Sequence, residues 1–269
     1  MKMLRDKLCG FIRDTRPLAT IMILLMLSAC ANADKVQETS AQHDPNPAAK
    51  ENVSPDNASA DNGGTVKESI RYDELRKKIT YGMATLHEVR QALTEDDVGA
   101  LTNTVHALYS MKWHRGVINL LYDVWKLEKN KYPELAWDLL EKAPVRIALA
   151  STINRIQILN TDEYKAYIRS HENDEHEFHR AQVVVALGLN GDPVDLPYLK
   201  SMAEGDDVYV AQSAITGLAL MANNQARDVL IELGKKYARD ARGQLIREVL
   251  KKAYHWPPAK NQTETRPQG

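Results

Sequence analysis

The chain has 269 residues, enough for one or two ordinary domains, and a net charge of −1 from 35 basic and 36 acidic residues. That balance excludes a global basic field for nucleic acid. Only two Phe and 13 Gly among 43 % hydrophobic residues, with abundant Ala and Leu, lean the composition toward helix.

The chain opens on a basic stretch, Lys2, Arg5, Lys7, Arg13 and Arg16, followed by an apolar run from Leu18 to Leu27. Ten residues are too few to span a bilayer as a mature helix, so the pattern belongs to a targeting segment. The run ends in Leu27-Ser28-Ala29-Cys30. This resembles the lipobox of bacterial lipoproteins at every position. The resemblance implies a signal peptide over 1–29, cleavage before Cys30, and lipidation of that cysteine on its sulfur and amino group. A plain secretory signal or an uncleaved anchor is the competing reading. Ala31, rather than Asp, follows the cysteine, which by the sorting rule of Gram-negative lipoproteins implies the outer membrane, facing the periplasm. Cys9 would leave with the signal and Cys30 would carry lipid. The mature globular part then has no thiol, which excludes a disulfide partner, a cysteine nucleophile and a thiolate zinc site.

Residues 31–69 hold no aromatic residue, and their apolar content beyond Ala is Val36, Val53 and Val66. Such a segment cannot bury enough surface to offset its ordering entropy. With Cys30 it reads as a linker over 30–69, whose forty or so residues reach roughly 35 Å as flexible chain.

From Ile70 the apolar residues take helical spacing. Leu75, Ile79, Met83, Leu86, Val89 and Leu93 line one helix face. Further helices are predicted over 97–111, 113–128, 133–142, 144–159, 161–171, 176–189, 194–204, 208–222, 224–238 and 241–254, with caps at Asp96, Thr161 and the Asp192-Pro193 pair. No stretch alternates with period two, so the fold class is all-α. Residues 256–269 are polar and proline-marked and read as a loose tail.

A shift of 31 residues superposes Val183, Ala186, Leu187 and Leu189 on Ala214, Gly217, Leu218 and Leu220. A residue followed by Arg opens the units at His114-Arg115, Val145-Arg146, His179-Arg180 and Ala241-Arg242. Units of two helices, neither able to bury its apolar face alone, stack into a continuous core. The stretch 179–199, HRAQVVVALGLNGDPVDLPYL, resembles the short HEAT repeat of the phycobilisome-lyase type, and 206–221 resembles it more loosely. The resemblance implies a right-handed α-α solenoid over 70–255. It makes Arg146, Arg180, Gly188, Asp192 and Pro193 structural positions and supplies no active site.

Two groups could carry chemistry. His171, His176 and His179 lie among acids in HENDEHEFH, and paired His at helical spacing can ligate a metal. The repeat register instead places this stretch at the corner between two helices, where acids favour the next helix N-terminus. The acid-rich corner is the preferred reading. Trp113 and Trp137, with Trp125 between them, could present aromatic anchors to a partner, although Trp125 with Leu121 and Val124 reads as core. The Arg76-Lys77-Lys78 run and the pairs Lys235-Lys236 and Lys251-Lys252 read as solvated helix ends. No catalytic motif stands out and no cofactor is implied. The expectation is a non-enzymatic, membrane-anchored scaffold or adaptor for an unidentified protein of the cell envelope. The alternatives are a metal- or cofactor-related accessory role for the His cluster, and cell-wall glycan binding.

Overall fold

The computed structural model describes residues 62–157 and 161–254, with side chains from Arg71 onward. The expected signal peptide, Cys30, most of the linker and the tail lie outside the described residues. Among those residues there are twelve α-helices and no strand, so the fold is all-α. In chain order they are α1 (Asn62–Thr80), α2 (Leu86–Ala92), α3 (Val98–Ala107), α4 (Arg115–Trp125), α5 (Trp137–Leu140) and α6 (Ala143–Ile156). There follow α7 (Asp162–Arg169), α8 (Glu177–Asn190), α9 (Leu196–Glu204), α10 (Val208–Leu220), α11 (Asn224–Lys236) and α12 (Ala241–Tyr254).

Helices α3, α6, α8, α10 and α12 form a row in which each packs on the next. Helix α7 rests on α6 and α8, α9 on α8 and α10, and α11 on α9, α10 and α12. The row is the apolar one: Leu101, Ile147, Val184, Leu218 and Ile246 are fully buried. Its members approach closely because small residues face each other. A Cβ on Gly188 would sit 2.5 Å from the Cα of Gly217, and one on Gly217 would sit 2.5 Å from the carbonyl oxygen of Val184. Both distances are far inside van der Waals contact, so α8 and α10 cross backbone to backbone. Helix α8 stops at Gly191, whose φ of 70° is the left-handed conformation that glycine adopts without strain. Asp192 then accepts from the Val194 backbone at 3.1 Å, and Pro193 opens the short 3-10 turn before α9.

Three of the four arginines singled out in the sequence, Arg146, Arg180 and Arg242, bind main chain. Arg146 donates to the carbonyl of Trp125 at 2.9 Å and lies 4.0 Å over its ring. Arg180 donates to the carbonyls of Asp174 and Glu175 at 2.6 and 3.0 Å, and to Asp207 at 2.7 Å. Arg242 reaches the Ala203 carbonyl at 3.3 Å. These bonds satisfy carbonyls that the ends of helices and the loops between them leave without intrahelical partners.

Three expectations need correction. The apolar face from Leu75 to Leu93 is split between α1 and α2, because Gly82 takes φ 67° and Thr85 restarts the helix in a capping box with Glu88. Met83, expected on the buried face, falls in that turn and is 68 % exposed. The helix expected over 133–142 shrinks to α5, since Pro133 keeps Tyr132 out of helical geometry and the Tyr132 carbonyl accepts from the Trp137 indole at 2.7 Å. Asp97 rather than Asp96 caps α3, accepting from Ala100 at 2.6 Å, and Thr161 precedes α7 without a side-chain cap bond.

Candidate functional site

Helix α7 ends at Arg169 and α8 begins at Glu177, so residues 170–176 form the corner between them. His176 sits at the N-cap position, but its side chain makes no cap bond. Asp174 instead closes a turn ahead of the helix: one carboxylate oxygen, Oδ1, accepts from the His176 backbone N–H at 3.0 Å. The other oxygen, Oδ2, accepts from His171 Nδ1 at 3.1 Å and from His179 Nδ1 at 2.9 Å. The His176 backbone bond first, then His179 and His171, hold the Asp174 carboxyl well below the usual carboxylate range.

The corner is tied down on both sides. Arg180 binds the Asp174 main chain from α8, and Tyr198 donates to the Glu172 carbonyl at 3.2 Å from α9. The His171 ring meets Tyr167 edge-on at 5.1 Å, and Tyr167 meets Trp125 at 5.3 Å. The side chains of His171, Asp174 and His179 are each about a fifth exposed. His176 is exposed, its ring 4.9 Å from that of His179. The expected trio of histidines is thus not the set the fold assembles: donor atoms of His171, Asp174 and His179 lie within 4.8 Å of one another, and His176 stands beside them. Asp174 was missed because it carries no helical spacing; its position in the turn between two His was the only signal.

The tryptophans separate. Trp113 is 87 % exposed at the turn before α4, where the loop bearing Tyr81 and Met83 also lies, since a Cβ on Gly82 would meet the Ser110 carbonyl at 3.2 Å. Trp137, a candidate for partner contact beside Trp113, is buried, its indole satisfied by Tyr132. Trp125 is buried and donates to Glu163 at 2.7 Å. Of the basic groups expected to be solvated, Arg76 is paired with Glu95, which is buried, at 2.5 Å.

A third polar group went unnoticed in the sequence. His106 on α3 is buried, with Gln182 of α8 set beside its ring. Burial, then the charge of Arg155, push its imidazolium down to about 3, with the nearby Gln182 opposing. Arg155 on α6 faces no carboxylate among the described residues. It donates to the His106 carbonyl at 3.3 Å and stacks 4.4 Å over the Tyr109 ring.

No described helix is long and apolar enough to cross a membrane. No family model matches the chain, and neither a curated protein nor a solved structure is detectably similar to it.

Proposed function

We propose that the chain is a lipid-anchored lipoprotein of the bacterial outer membrane, facing the periplasm, whose helices form a HEAT-like right-handed solenoid that binds another envelope protein. The lipobox at Leu27-Ser28-Ala29-Cys30 supports the anchor. The row of helices with α7, α9 and α11 along it, the glycine crossing of α8 and α10, and main-chain-binding arginines at the repeat starts support the solenoid. The lipid gives location, and tethering raises effective concentration so that a modest affinity suffices.

One observation carries the binding surface: Trp113, Tyr81 and Met83, all more than 60 % exposed, gather at one corner, whereas the aliphatic side chains exposed to that degree elsewhere, Val194 and Val208, are small. The aromatic groups supply rigid contact area, and Lys112, 5.6 Å over the Trp113 ring, adds charge at the rim.

Two measurements test the two parts. Cys30→Ala releases the protein from the membrane fraction of the native host; retention there rules out the lipid anchor. A photo-crosslinking residue at position 113, in cells, captures one dominant envelope protein that the same residue at position 251 does not. Equal, diffuse products from both positions overturn the binding surface.

A further inference from the structure

We propose that His171, Asp174 and His179 form a binding site for one divalent first-row transition ion of the zinc type. The site stands independently of the anchor and of the partner surface, and it uses none of the residues of either.

Asp174 closes its turn with one oxygen, Oδ1, which accepts from the His176 N–H at 3.0 Å. The turn needs nothing of the second oxygen. Yet two imidazoles from different helices' ends converge on Oδ2 at 3.1 and 2.9 Å, each through the same ring atom, Nδ1. Zinc holds His nitrogen and carboxylate oxygen at about 2.0–2.2 Å, which places neighbouring ligand atoms about 3.0–3.5 Å apart in octahedral or tetrahedral geometry. The two observed separations therefore match, or need a widening of a few tenths of an ångström, and all three donor atoms already lie within 4.8 Å of one another. The remaining separation, between the two imidazoles, must close to the same range for both rings to reach one ion.

The supports also fit. His171 is braced by Tyr167, itself braced by Trp125, and His179 is flanked by His176 at 4.9 Å. Such outer contacts orient ligand rings. The cations nearest the site are already engaged: Arg169 pairs with Asp195 and with Glu172, and Arg180 pairs with Asp207. The positive end of the α8 dipole opposes a cation with about half an elementary charge. The carboxylate of Asp174, together with neighbouring Glu172, Glu175 and Glu177, outweighs it.

The donor set selects the ion. Two imidazoles and one carboxylate without a thiolate suit borderline divalent ions, while calcium and magnesium demand oxygen ligands. A ligating imidazole offers its Nδ1 lone pair to the ion and carries its proton on Nε2. Three protein ligands leave at least one position for water, or for His176, whose exposed ring is near enough to turn in.

The test uses the untagged full chain in detergent, stripped with a chelator and then dialysed against zinc buffered at nanomolar to micromolar free concentration. The expected result is one zinc per chain, with affinity lowered about 100-fold in His171→Gln and in His179→Gln and unchanged in His87→Gln. Because Asp174→Asn also disturbs the turn ahead of α8, His171→Gln is the decisive variant, and its circular dichroism is expected to match the parent. Cobalt in place of zinc gives visible d–d absorption that the same variants abolish. Absence of zinc at micromolar free concentration, or binding that survives the His171→Gln, His179→Gln double substitution, overturns the proposal.

Discussion

Helices α8 and α10 meet through glycine with their backbones in contact, whereas the region from α4 to α7 is filled by large aromatic side chains that also carry polar tips. In the first region Gly188 and Gly217 leave no room for a single added carbon. In the second, Trp125 packs edge-on against Tyr164 and Tyr167 at 5.2 and 5.3 Å, and its indole N–H binds Glu163. Trp137 fills its place and satisfies the Tyr132 carbonyl. The two regions reach dense packing from opposite directions, so the damaging change in one is addition and in the other deletion.

The largest expected effect is a deletion in the aromatic region. Trp137→Ala removes a buried ring and leaves the Tyr132 carbonyl without its donor. The loss is about 3–5 kcal/mol, read as a fall in melting temperature of about 10 °C or more by circular dichroism. A fall of only a degree or two would show that this region tolerates deletion and would dissolve the contrast.

The next effect is an addition in the repeat region, and here the sign is the test. Gly→Ala inside an exposed helix stabilises by about 1 kcal/mol through propensity. At Gly188 the new methyl would lie 2.5 Å from the Gly217 Cα, so α8 and α10 must separate. Overpacking of this kind costs about 1–3 kcal/mol and outweighs the propensity gain. Gly188→Ala is therefore expected to melt lower than the parent; a higher melting temperature would mean the crossing is looser than the geometry requires.

These same regions explain how much the sequence disclosed. Repetition is visible without coordinates, because Ala and Gly recur at fixed offsets wherever helices must approach. The helices from α6 to α12 accordingly fall close to their expected spans. Periodicity could not reveal the break between α1 and α2, since Leu75 to Leu93 keeps helical spacing straight through a turn. The decision there is local: Gly82 leaves the helical region and Thr85 with Glu88 caps a new start. In the span 133–142 a distant contact joins the local effect of Pro133, since Ala136 donates from its backbone to Leu93 at 3.2 Å, more than forty residues away. Asp174 was illegible for a third reason. Nothing in a turn's spacing says which carboxylate two histidines will share.

A polar seam on α3 and α6 follows neither rule. His106 is sealed in with Gln182 beside its ring, and Arg155 lies against its carbonyl. The folded-state pKa of His106 is pushed down to about 3. Because that lies below its unfolded value of about 6.5, the unfolded chain takes up the proton first. Stability is therefore complete above about pH 6.5 and is lost progressively as pH falls toward 3. At pH 5 the loss is about 2 kcal/mol. Urea unfolding between pH 7 and pH 5 measures it, and His106→Leu should flatten that part of the profile. An unchanged slope in the variant would place the acid sensitivity elsewhere.

The smallest expected stability effect belongs to the residue with the largest exposed ring. Trp113 is 87 % exposed, so Trp113→Ala should change stability by less than about 0.5 kcal/mol, in contrast to Trp137→Ala a short distance along the chain. Burying nothing, an indole in this position gains the folded chain almost no free energy, and it adds a surface that water wets poorly. Under the proposed function it is retained for what it meets outside the chain. Trp113→Ala should then leave the melting curve in place while weakening capture of the cross-linked envelope protein, assayed with the photo-reactive residue moved to position 81. A variant that keeps both its melting temperature and its cross-link would leave the aromatic corner without a binding role. One that loses both would make Trp113 part of the packed aromatic region and erase the distinction between the two tryptophans.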